Sequence, residues 1–138
     1  MALNVKLVLD TCAMRNRDLL DWLARRTSGE VCISSVVYME LCRQILHKGN
    51  SIEGLRRLID KHHIKILPFD KHIAEIAAEY MNRHGEPCPT CNKLDWADTM
   101  IYASVGAPPT IFVTDNIADF PSDYPDYIQT PKQIMQMR

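Results

Sequence analysis

The chain has 138 residues, 46% hydrophobic and 24% charged, with a net charge of −1. This is one-domain size, able to bury a core without disulfides. The near-neutral charge excludes a whole-molecule basic field, so any nucleic-acid contact must use local clusters.

Val5 to Leu9 is a short β-branched and leucine run ending in Asp10-Thr11, and reads as a buried strand followed by a turn. Asp18 to Arg26 places Leu19, Leu20, Leu23 and Ala24 at helical spacing and is stopped by Gly29. Val31 to Ile33 is a second strand. Ser34 or Ser35 then caps a helix with Val37, Leu41 and Ile45 on one face, ending near Gly49. Ser51 starts a helix through Leu55, Leu58 and Ile59, and Ile64 to Leu67 is a third strand closed by Pro68. Asp70 opens an amphipathic helix carrying Ile73, Ile76, Ala77, Tyr80 and Met81, stopped at Gly85. Glu86 to Asn92 is a loop, Leu94 to Val105 a helix, Thr110 to Val113 a strand after Pro108-Pro109, and a small helix begins near Pro131. Short apolar strands alternating with longer helices predict one α/β domain over residues 1–138. Its parallel sheet is covered on both faces.

No apolar run approaches the roughly 20 residues of a membrane span. The opening MALNVKLVLD lacks a signal peptide's apolar centre and small-residue cleavage site. Five cysteines, an odd number, with Cys12, Cys32 and Cys42 inside apolar patterns, suit a reducing compartment. Cytoplasmic residence without membrane contact is the expectation.

Acidic residues recur where an apolar run ends or beside the buried stripe of a helix: Asp10 in VKLVLDT, Glu40 in SSVVYMEL, Asp98 in LDWADTMIYA, and Asp115, Asn116 and Asp119 in IFVTDNIADF. A carboxylate against a core needs something to offset its desolvation, and a shared divalent cation offsets it for several at once. Asp10 and Asp115-Asn116 fall beyond the carboxyl ends of their strands, where open parallel sheets bind ligands. Oxygen donors of this kind suit Mg²⁺ or Mn²⁺, with waters and a substrate phosphate completing the shell. Taken singly, Asp10 reads equally as a turn cap, Glu40 as a solvated acid and Asp98 as an ion-pair partner.

The motifs VLDTCAMR, ISSVVYMEL, DTMIYAS and VTDNIADF, in this order and spacing, resemble the PIN domain. That is the metal-dependent ribonuclease fold of VapC-type toxins in toxin–antitoxin pairs. The resemblance covers nearly the whole chain. It implies a three-layer α/β/α fold with a four- to five-stranded parallel sheet, and hydrolysis of RNA phosphodiesters assisted by one or two Mg²⁺ or Mn²⁺ ions. It also implies a homodimer and inhibition by an antitoxin segment. Carried over, it makes Asp10, Glu40 and Asp98 the central metal-binding acids and puts the Thr11 hydroxyl near the metal or its water. The fourth corner is open among Asn116, two residues after Thr114, and the carboxylates Asp115 and Asp119.

Arg15 and Arg17 follow the Asp10 turn and are expected either to meet substrate phosphates or to form a solvated turn. Asp95, one turn before Asp98, is a supplementary ligand or a helix N-terminal acid. Cys88-Pro89-Thr90-Cys91, with His84 upstream, is preferred as a pair of loop thiols over a zinc site, because a second C-x₂-C pair is missing. Two further readings keep the fold. One is a housekeeping nuclease in RNA processing or DNA-structure cleavage, and the other is an inactive binding module, favoured by Asn116 and the low charge.

Overall fold

β-branched and leucine-rich runs become the strands of one sheet, and the amphipathic segments between them become helices. The computed structural model describes residues 5–26, 29–84, 96–106, 110–117, 120 and 128–136. The elements are β1 (Lys6–Leu9), α1 (Thr11–Met14), α2 (Arg17–Arg26), β2 (Val31–Ser34), α3 (Ser35–His47) and α4 (Glu53–Lys61). They continue with β3 (Lys65–Leu67), α5 (Lys71–His84), α6 (Trp96–Ala103), β4 (Thr110–Val113), β5 (Ile128–Gln129) and α7 (Pro131–Met135).

The strand order is β3-β2-β1-β4-β5, and every neighbouring pair is parallel. Val8 pairs with Cys32 on one side of β1 and with Phe112 on the other. Leu7, Val8 and Leu9 are fully buried, as are Ile33, Phe112 and Val113. β1, β2 and β4, buried at nearly every position, need helices on both faces of the sheet, and the chain forms the expected α/β/α layers. None of the helices among the described residues is long and apolar enough to cross a membrane.

Three elements differ from the sequence reading. The turn expected after β1 is a helix, because Asp10 caps it: its side chain accepts the Thr11 N–H at 2.8 Å, and its carbonyl accepts the Met14 N–H at 3.1 Å. The helix expected to run to Val105 ends at Ala103. There Ser104 and Val105 donate to Ile101 and Tyr102, tightening the last turn, and Gly106 follows at φ +85°. β5 is the fifth strand that the resemblance allowed, but no sequence pattern located it. It is two residues long, too short to show a period, and is recruited by pairing with Phe112 and Val113.

Two packing features hold the site's scaffold. Tyr102 of α6 lies 5.9 Å from Phe112 of β4 and 5.5 Å from Phe120, and the rings of Phe112 and Phe120 meet edge-on at 5.0 Å. This cluster fixes α6 against the end of β4. On the other side, a Cβ at Gly29 would run into the Val5 carbonyl, so only glycine lets the chain enter β2 alongside β1.

Candidate active site

β1 and β4 are neighbours in the sheet although two strands intervene in the chain, so the winding direction reverses between them. Such a reversal opens a crevice beyond the strands' carboxyl ends, and Asp10 and Thr114 are the residues that leave β1 and β4 there. The two strand ends are joined by the Asp10 N–H donating to the Val113 carbonyl at 2.9 Å.

Asp10 is only 5% exposed. One carboxylate oxygen, Oδ1, accepts the Thr11 backbone N–H, and the other, Oδ2, accepts the Thr114 hydroxyl at 2.8 Å. Burial pushes its pKa above the usual carboxylate value. Hydrogen bonds from Thr114, Thr11 and Cys12 and the charge of Arg15 pull it back only part of the way. No ion pair reaches Asp10 among the described residues.

Glu40 is brought in by α3. Ser34 caps that helix by accepting the Val37 N–H at 3.0 Å, which starts it directly off β2. The half-buried Glu40 then accepts the Thr11 hydroxyl at 2.7 Å through Oε1. Thr11 therefore donates to two acids at once, with its amide to Asp10 and its hydroxyl to Glu40.

Asp98 stands in the first turn of α6, half-buried, on a helix that packs against both α3 and α5. Asp115 and Asn116 are exposed, and their backbone is held: the Asn116 N–H donates to Thr114 Oγ1 at 3.1 Å, and the Asp115 N–H to Cys12 Sγ at 3.3 Å. Arg15 and Arg17 are exposed. Asp95, Asp119, Cys88 and Cys91 lie outside the described residues, so the supplementary-ligand, fourth-carboxylate and zinc readings fall there as well.

Asp10 and Glu40 are united through Thr11, but no three Asp, Glu, His or Cys side chains form a ready metal cage among the described residues. In kind, the donors do fit a hard divalent cation. One is a buried carboxylate whose charge is incompletely offset and which has no ion pair among the described residues, and the second lies one hydroxyl away.

Cys12 is the site residue that sequence reasoning missed, having been taken only as part of an apolar pattern. It is half-buried, with Sγ 3.7 Å from Thr114 Oγ1 and 3.9 Å from Asp10 Oδ2. Burial pushes its thiol up, opposed by the hydrogen bonds from Asp115 and Thr114. Its position two residues after Asp10 becomes informative once Asp10 is recognised as the cap of α1.

A family model described as PIN domain matches residues 8–115. No curated protein matches the chain. Among solved structures, the chain is similar to VapBC-1 from nontypeable Haemophilus influenzae, with a TM-score of 0.66 at 16% identity, over 93% of this chain and 99% of that one. It is similar to VapBC2 from Rickettsia felis, bound to a DNA fragment from its promoter, with a TM-score of 0.62 at 19% identity, over 91% and 98%. It is also similar to a toxin–antitoxin complex from Klebsiella pneumoniae, with a TM-score of 0.65 at 18% identity, over 91% and 97%. At these identities the likeness is one of fold.

Proposed function

The chain belongs to the PIN-domain family, and from that premise we propose that it is a Mg²⁺- or Mn²⁺-dependent endoribonuclease acting as the toxin of a toxin–antitoxin pair. The observation that carries the proposal is the buried, incompletely compensated Asp10 carboxylate at the β1–β4 crevice, coupled through Thr11 to Glu40.

Asp10, Glu40 and Asp98 would hold the cation, with the fourth corner drawn from Asp115, Asn116 and Asp119. When bound, the cation supplies Lewis-acid stabilisation of charge on the phosphoryl group and a more acidic attacking water. The protein's own contribution is orientation. Thr11 and Thr114 each occupy one oxygen of Asp10, so the carboxylate is locked in rotation while each oxygen keeps acceptor capacity. Thr11 likewise holds one oxygen of Glu40 and leaves the other unclaimed by Thr11. Arg15, exposed and close enough to Asp10 to act on it electrostatically, would meet a phosphate beside the scissile bond, with Arg17 two residues on.

The antitoxin assignment draws support from the toxin–antitoxin complexes that the fold resembles. Met39 and Leu46 are both more than half exposed on α3, the helix that carries Glu40. Apolar side chains in that position suit a partner segment, or a second copy in a homodimer, next to the site. The decisive experiment is cleavage of an RNA panel with Mn²⁺ by wild type, Asp10→Ala and Asp98→Ala, with circular dichroism to verify folding. Folded but inactive variants are expected, and undiminished metal-dependent cleavage by both would refute the reading.

A further inference from the structure

The turn that leaves β4 carries two fourth-corner candidates, Asp115 and Asn116, and both side chains are exposed. The direction of an exposed side chain depends first on the backbone that carries it. The two amides of this turn follow matching routes back to Asp10. The Asn116 N–H donates to the Thr114 hydroxyl, which donates to Asp10 Oδ2. The Asp115 N–H donates to Cys12 Sγ, whose thiol approaches the same oxygen at 3.9 Å. Thr114 is part of the turn and moves with it. Cys12 comes from α1, on the β1 side of the crevice, and bridges 103 residues of sequence to reach Asp115.

We propose that Cys12 is a positioning residue that pins the β4 exit turn to the Asp10 side of the crevice, and so sets where Asp115 and Asn116 present their oxygens to a divalent cation. The inference rests on the metal-dependent reading of the site and assigns Cys12 no contact with metal or substrate. Groups that orient metal ligands from behind them commonly cost roughly 10- to 100-fold in affinity or activity when removed. Asp115 is exposed, so an amide released by Cys12 can be hydrated, and the fold should hardly notice its loss. This separates positioning from a structural role, which would lower the melting temperature and leave cation binding unchanged.

The test uses the full chain carrying Cys12→Ala, Cys12→Val (which fills the space without accepting the N–H) and Cys12→Ser (which keeps a donor and an acceptor). In metal-free protein, hydrogen exchange at the Asp115 amide should accelerate about fivefold or more in Ala and Val and return towards wild type in Ser. In Mn²⁺ titrations by calorimetry, Ala and Val should bind about tenfold more weakly, with Ser restoring most of the loss and all three melting close to wild type. Unchanged Asp115 exchange, or unchanged Mn²⁺ affinity in Ala and Val, overturns the inference while the metal-dependent reading stands. Wild-type protein that binds no Mn²⁺ overturns both.

Discussion

Replacing Asp10 by Asn separates the cost of the buried charge from its use. The substitution preserves shape and one carbonyl-type acceptor, and removes the ionisable group. Burial outweighs the hydrogen bonds in setting the Asp10 acidity, so its folded-state value lies above its unfolded value of 3.8. The sign follows by linkage: the folded state holds the proton more tightly, so ionised Asp10 penalises folding above the folded-state value, and the penalty disappears below pH 3.8. With its oxygen at the Oδ1 place, Asn keeps the Thr11 amide bond without charge assistance, a loss of about 1 kcal/mol. Its NH₂ takes the Oδ2 place, where the Thr114 hydroxyl must turn from donor to acceptor, with Cys12 Sγ 3.7 Å away to receive its hydrogen. Because desolvation is the larger contribution, the balance favours Asn at pH 7. For a chain of this size each gain of about 1 kcal/mol raises Tm by roughly 2–5 °C, read in EDTA. Manganese reverses the ranking. A wild-type site with a Kd of about 0.1 mM gains roughly 1.4 kcal/mol at 1 mM Mn²⁺, while the Asn variant, lacking the central anionic donor, gains little. Thermal melts of both proteins at pH 7, with EDTA or Mn²⁺, followed by a series down to pH 3.5, measure each part. An Asn variant less stable than wild type in EDTA, or one with the full Mn²⁺ shift, would refute the reasoning.

Glu40 gives a paired contrast. Glu40→Gln keeps an acceptor for the Thr11 hydroxyl and should melt like wild type while losing RNA cleavage. Glu40→Ala also strands that hydroxyl and should cost a further ~1 kcal/mol in urea unfolding. Phe120→Ala, removing a ring 5% exposed that packs on Phe112 and Tyr102, should destabilise the fold by about 3–5 kcal/mol in the same assay.

The parts of the fold legible in sequence were those with a repeating signal. The β1, β2 and β4 runs are apolar at nearly every position because they are covered on both faces. α5 carries a clean helical period, and Asp70, expected to open it, does accept the Ile73 N–H at 3.0 Å. α1 and β5 were illegible for lack of length: α1 depends on one capping carboxylate, and β5 on pairing with the preceding strand, β4. The site divides in the same way. Asp10 and Glu40 are visible as acids at the edge of apolar runs. That Thr11 links them, and that Thr114 reaches Asp10 across 104 residues of sequence, depends on the sheet order, which no local pattern encodes.

The Asp10-Thr11 pair explains how like-charged groups are kept together before a cation arrives. Two carboxylates in direct contact would repel, and one would take up a proton. Here a single residue between them supplies a donor to each, its amide to Asp10 and its hydroxyl to Glu40. Each acid therefore meets hydrogen rather than the other's oxygen. The amide exists in any non-proline residue, but the hydroxyl does not, so position 11 needs Ser or Thr once α3 delivers Glu40. Valine there would preserve the Thr11 volume and the Asp10 cap while leaving the inner oxygen of Glu40 without its donor. The adjacency of an acid and a hydroxyl at the end of β1 is thus a requirement set by a third residue 29 positions away.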